Sequence, residues 1–126
     1  PYCGGANVFF NKSKSKIEVI NDIDTGVVQI YRALRDEPAE FIRRLKICKY
    51  SEETFERALK KTQIEDYLEH AVNEFILRRM SRGGLRKAFA WSERKRGGKP
   101  GDINAWETAI KGLSSLSEKL QEVFIF

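Results

Sequence analysis

The stretch PYCGGANVFF (residues 1–10), followed by VINDID (residues 19–24), decides how this chain is read. Gly4 and Gly5 open a tight turn, and Val8, Phe9 and Phe10 continue it as a short helix reaching a lysine-rich loop over residues 12–16. Ile17, Glu18, Val19 and Ile20 alternate and are largely β-branched, so a strand is predicted there, ending in acids at Asp22 and Asp24. A glycine turn leading into a helix, then a strand closed by an acid, is the first half of a nucleotide-binding crossover. Glycine lets backbone approach a ligand that a Cβ would hit, and an acid at the strand end can accept hydrogen bonds from ribose hydroxyls. Gly4 and Asp22 are 18 positions apart, near the roughly 20 of such units. A pair of glycines is also an ordinary loop, and these residues alone leave both readings open.

Outward from that stretch the pattern turns helical. Asp24 or Thr25 can cap a helix whose apolar positions Val27, Val28, Ile30, Tyr31 and Leu34 recur at helical spacing. Asp36-Glu37-Pro38 starts another, with Phe41, Ile42 and Leu45 on one face, because proline in the first turn removes no needed donor. Ser51-Glu52-Glu53 opens a longer helix or a helix pair, its acids matched to the positive end of the helix dipole. Residues 81–101, rich in glycine and basic side chains, read as loop. Asn104 and Glu107 form a capping box that predicts a helix start, and Val123–Phe126 reads as a buried strand in the same sheet as residues 17–21.

Composition excludes several classes. At 126 residues and 41% hydrophobic the chain suits one domain or a large part of one. No apolar run approaches the roughly 20 residues that span a bilayer, and no signal-peptide pattern opens the chain. Cys3 and Cys48 lie outside any CxxC or His-paired arrangement, so reduced thiols are expected. With His70 as the only histidine, a His-based metal site or Ser-His-Asp triad has little to build on, and His70 reads as an ordinary helix residue.

The net charge of +5 is uneven. Residues 78–99 hold nine basic side chains against one acid, Glu93, a net of +8. Such density calls for a polyanionic partner, most simply nucleic-acid phosphates, against the alternative of a solvated charged face. Within it Arg82, Arg86, Arg94, Arg96 and Lys99 are the candidate nucleic-acid contacts, to phosphates or to base edges. Phe89 and Trp91 are expected to pack beneath the loop, and Trp106 to lie in the core.

The ordered segments PYCGGANVFF, VINDID, VVQIYRALRDEPAEFIRRL (27–45), YSEETFERA (50–58) and FAWSERKRGGKPGDINAWETAIKGLSSLSEKLQEVFI (89–125) together resemble the Dam-related D12 class of DNA adenine-N6 methyltransferases. The resemblance covers nearly the whole chain. It implies an α/β fold: an incomplete, helix-rich, Rossmann-like S-adenosylmethionine-binding unit with a helical target-recognition region. Tyr2, Cys3, Gly4, Gly5 and Ala6 fit the family's cofactor loop, Asp22 falls on its ribose-binding acid, and Ile23 stands beside it. The implied division is a partial cofactor unit over 1–36, a helical target-recognition region over 37–106 with the basic loop 78–99, and a returning helix and strand over 107–126. Double-stranded DNA and S-adenosylmethionine are the implied partners, with no metal and no membrane, in a bacterial or phage-encoded cytoplasmic setting of the restriction-modification kind.

Two departures from the family pattern matter. The Trp/Gly/Gly/Lys-type segment and strand ahead of the cofactor loop are missing, and no Asp/Asn-Pro-Pro-Tyr/Phe motif occurs, the only prolines being Pro1, Pro38 and Pro100. The chain therefore reads as a piece of a larger enzyme, inactive by itself, with no catalytic residue assigned. The alternatives are a non-catalytic helical nucleic-acid-binding module and, third, a structural partner of acidic proteins.

Overall fold

Local chemistry starts each helix of the computed structural model, which describes residues 5–93, 95–96 (backbone only) and 98–126. The short helix α1 (Asn7–Asn11) follows Ala6, whose φ of 52° lies in the left-handed region. Strand β1 (Val19–Ile20) leads to Asp24, which caps α2 (Thr25–Asp36) by accepting from the Gly26 and Val27 amides. Pro38 occupies the first turn of α3 (Pro38–Ile47). The predicted helix pair is α4 (Glu52–Lys60), capped by Ser51, and α5 (Tyr67–Arg79), capped by Asp66.

Between α5 and the last helix the chain is more structured than a plain loop. A single 3-10 turn (Arg82–Gly84) is followed by a two-residue antiparallel hairpin, β2 (Lys95–Arg96) with β3 (Lys99–Pro100). Helix α6 (Gly101–Leu120) then begins directly, three residues before the predicted capping box. Pro100, with φ −53° and ψ 138°, stands immediately before the helix, and Asp102 places an acid in its first turn. Glu107 is consequently inside α6, where its carboxylate accepts from Lys99 Nζ at 3.0–3.1 Å.

Strand β4 (Phe124–Ile125) runs parallel to β1 with Val19 opposite Phe124 and Ile20 opposite Ile125. The predicted pairing of the two strands is present, shorter at each end than the sequence pattern reads. One face buries Ile20 and Ile125, while Val19, Phe124 and Phe126 lie outward on the exposed face. The outer edge of β4 is occupied: Arg35 Nη1 donates to Val123 O at 2.8 Å and Arg32 Nη2 to Ile125 O at 3.5 Å.

The molecule is thus helix-rich with a small parallel sheet, compatible with an α/β unit. Helix α2 packs on α5 and α6, and α3 on both. Phe41, Leu34, Leu45, Met80 and Leu120 are fully buried. Trp106 is core, as expected, with its ring 5.6 Å from Phe75 and 6.1 Å from Tyr50. Among the described residues no helix is long and apolar enough to cross a membrane.

Candidate cofactor and nucleic-acid site

Strand β1 ends just before α2, and Gly5 shares a cavity with Val27 of that helix. Tyr2, Cys3 and Gly4 lie outside the described residues. Gly5 is exposed, and among the described residues a β-carbon there would meet only Asn7 Nδ2, at 3.9 Å. Ala6 is buried despite its left-handed φ. A non-glycine residue in that region costs about 1–2 kcal/mol, and such outliers concentrate at ligand-binding turns.

Asp22 is half-buried where β1 ends. Its amide donates to Phe126 O at 3.2 Å, and its Oδ1 accepts from the Asp24 amide at 2.9 Å. Asp24 Oδ1 accepts in turn from the Gly26 amide at 2.9 Å, and Asp24 Oδ2 from Arg78 Nη2 at 2.8 Å. Burial pushes the Asp24 carboxyl up, but the Arg78 bond and charge and two backbone amides outweigh it and hold it below its ordinary value. Arg78 also lines a cavity of about 320 Å³ with Gly5, Phe10 and Tyr31. One arginine therefore links the glycine-turn cavity to the turn that carries Asp22. Ile23 is 79% exposed, an apolar side chain beside an acid.

The basic segment is held to the helical body rather than free. The Arg82 amide donates to Ala88 O at 2.9 Å, the Ala90 amide to Met80 O at 2.7 Å, and the Arg86 amide to Ser81 Oγ at 2.9 Å. Tyr50 Oη donates to Ala90 O at 2.7 Å. Gly83, Gly84 and Arg86 all have positive φ, at 60°, 68° and 61°. Glycine adopts this cheaply and Arg86 does not, so the turn is fixed by its surroundings.

The candidate DNA contacts fall into different environments. Arg82 is exposed and borders a cleft of about 580 Å³ with Lys87, Phe89 and Trp91. Arg86 Nη1 donates to both oxygens of the buried Glu74, at 3.1 and 3.2 Å. Lys99 pairs with Glu107. Arg94 and the side chain of Arg96 lie outside the described residues. The expectation that both loop aromatics pack underneath holds for Phe89, whose ring is 5.3 Å from Tyr50. It fails for Trp91, which stacks on the outer side of Phe89 at 6.5 Å with an interplanar angle of 19° and stays 51% exposed. Phe89 already fills the apolar position against Tyr50 and Phe55, leaving Trp91 the second layer.

Glu74 was invisible as a site residue in the sequence. It accepts from Arg86 and from Arg78 Nε at 3.2 Å, and His70 Nε2 lies 3.7 Å from its Oε1. Arg78 counts within the basic run, yet its bonds are to Asp24 and Glu74. The available signal was the i, i+4 spacing of His70, Glu74 and Arg78 along one helix. Among the described residues no cluster of His, Cys, Asp and Glu is placed to hold a metal ion.

Among curated proteins, none matches the chain. A family model does, and over almost all of it: residues 1–123, covering the glycine turn, Asp22, the basic segment and α6 through Val123, match the D12 class N6 adenine-specific DNA methyltransferases. With the match running nearly end to end, the chain belongs to the D12 class N6 adenine-specific DNA methyltransferase family.

Proposed function

We propose that this chain supplies the S-adenosylmethionine-binding and target-recognition parts of a site-specific DNA adenine-N6 methyltransferase. The observation that carries the reading is the family match over residues 1–123, which includes both the glycine turn and the acid at the end of β1. In this reading residues 1–36 form the partial Rossmann-like cofactor unit, 37–106 the helical target-recognition region, and 107–126 the return to the sheet.

The residues present fit the cofactor. Among the described residues the space at Gly5 leaves room for a ligand against bare backbone, as a cradle for the methionine moiety requires. The half-buried Asp22 carboxylate suits two ribose hydroxyls, and the exposed Ile23 offers an apolar surface to the adenine ring. When bound, the sulfonium supplies an activated methyl group. Tyr2 to Ala6 would then hold the amino acid end and Asp22 would fix the ribose.

On the DNA side, Arg82, Arg86, Arg94, Arg96 and Lys99 would neutralise backbone phosphates or read guanine. Methyl transfer to N6 also needs acceptors that draw hydrogen bonds from the exocyclic amine and an aromatic that stacks on the extruded base. The 126 residues contain no Asp/Asn-Pro-Pro-Tyr/Phe to do this, so the chain by itself is proposed to bind and not to transfer.

Calorimetry with S-adenosylmethionine and fluorescence anisotropy with a labelled DNA duplex test the reading together. Cofactor binding that weakens at least about tenfold in Asp22→Ala, with duplex binding retained, is expected. Duplex binding with no cofactor binding would instead leave a helical nucleic-acid-binding module. Methyl transfer from tritiated cofactor by the chain alone would overturn the proposed inactivity.

A further inference from the structure

Glu74 accepts from an arginine of the basic segment's turn and from the arginine that holds the Asp24 turn. It is 8% exposed, and leaving a buried carboxylate with an incomplete set of donors is costly. Two arginines from opposite sides complete that set. Arg78, four residues along α5, donates Nε to Glu74 Oε2 at 3.2 Å and Nη2 to Asp24 Oδ2 at 2.8 Å. Arg86, from the strained turn of the basic segment, uses Nη1 alone on both Glu74 oxygens. Its Nε and Nη2 make no hydrogen bond among the described residues, and the side chain is 45% exposed.

The geometry is that of a support. A guanidinium is a rigid planar fork, so fixing one nitrogen on a buried acid fixes the plane of the other two. A pair of coplanar donors is what a phosphate or the guanine edge accepts from arginine. On the other side, Arg78 holds Asp24, whose amide donates to Asp22 Oδ1. Gly26 leaves the room that the acid occupies, since a β-carbon there would lie 2.5 Å from Glu74 Oε2.

Resting on the functional reading above, we propose that Glu74 is a positioning residue shared by the two sites. It sets the Arg86 fork for DNA and, through Arg78, the Asp24 turn that orients Asp22 for the cofactor. Ordering either end lowers the cost of ordering the other, so cofactor and duplex each tighten the binding of the other by the same factor.

The test measures duplex affinity by anisotropy, with and without saturating S-adenosylmethionine, in the unmodified chain, Glu74→Gln and Arg86→Lys. Cofactor is expected to tighten duplex binding by the unmodified chain by about fivefold. Glu74→Gln offers one acceptor where two guanidiniums need it, and the cofactor effect should fall below about twofold while cofactor affinity itself drops. Arg86→Lys, on an exposed turn, keeps the charge and loses the fork. It should lose the effect of cofactor on duplex binding, and this variant decides the matter if Glu74→Gln does not fold. A full cofactor effect retained in either folded variant overturns the inference. So does an unmodified chain that binds both ligands with no mutual effect, and there the functional reading survives. A chain that binds neither ligand overturns the functional reading and this inference with it.

Discussion

The carboxylate of Glu74 occupies the space that a side chain at Gly26 would need. A β-carbon built on Gly26 would lie 2.5 Å from Oε2 and 2.6 Å from Cδ of Glu74. Glycine in a helix costs roughly 1 kcal/mol against alanine, yet here it permits α2 and α5 to approach across a buried acid.

Gly26→Ala is therefore expected to destabilise the chain despite the better helix propensity, by roughly 1–3 kcal/mol, because Glu74 must leave Arg78 and Arg86 to make room. Urea denaturation measures this. The double variant with Glu74→Ala should recover part of the loss, giving a coupling of at least about 0.5 kcal/mol. Simple additivity would show that the two positions do not compete.

Neutralising Asp24 by Asp24→Asn has a narrower effect. Asparagine still accepts from the α2 amides, but the charge that holds Arg78 is gone. Stability is expected to fall by about 1 kcal/mol, and the loss should shrink on acidification. The Asp24 carboxyl is held below its ordinary value when folded, so its contribution is present above the ordinary aspartate range and is lost as pH falls through the depressed value. Denaturation midpoints of the two proteins compared from neutral to acid pH check the sign.

Tyr50 fastens the segment that bears Trp91. Its hydroxyl donates to Ala90 O, and burial, assisted by the charge of Asp102, pushes its pKa up to about 12. A raised folded value means that the stabilisation is complete below the ordinary value of about 10 and is lost as pH rises toward the folded one. Tyr50→Phe should cost about 1 kcal/mol at neutral pH and flatten the alkaline decline between roughly pH 10 and pH 12. An unchanged alkaline limb in the variant counts against this role.

Trp91 and Trp106 should report on different things. Trp106 is buried and Trp91 is half exposed over the cleft beside Arg82 and Lys87. Adding DNA duplex is expected to quench emission in the unmodified chain and to leave Trp91→Phe unaffected. As a surface substitution, Trp91→Phe should change stability by no more than about 0.5 kcal/mol. Equal quenching in both proteins would remove Trp91 from the nucleic-acid surface.

Much of the fold was written locally. The Asp24 and Ser51 caps, Pro38 at the start of α3 and the β-branched run ending at Ile20 each depend on residues within a turn of one another, so pattern reading finds them. The start of α6 was misplaced because two local signals competed, and Pro100 with Asp102 prevailed over Asn104 with Glu107. The site was less legible. Glu74 lies among Phe75, Ile76 and Leu77 and gains its meaning from Asp24 and Arg86, partners brought by tertiary packing. The same holds for Trp91, whose exposure follows from Phe89 having taken the apolar position first. The basic run likewise looked uniform, although Arg78, Arg86 and Lys99 have carboxylate partners and Arg82 has no ion pair among the described residues.

The arginines along β4 give the small sheet a direction of growth. Hydrogen bonds from Phe124 and Phe126 to Glu18 O and Ile20 O show which side of β1 faces its neighbour, so the Val19 amide and carbonyl point the opposite way. On β4 the corresponding outer carbonyls are already taken by Arg32 and Arg35. Among the described residues no strand pairs with the flank of Val19, so a strand added there would lie next to the strand that delivers Asp22, while on β4 the outer carbonyls of Val123 and Ile125 are occupied by arginine.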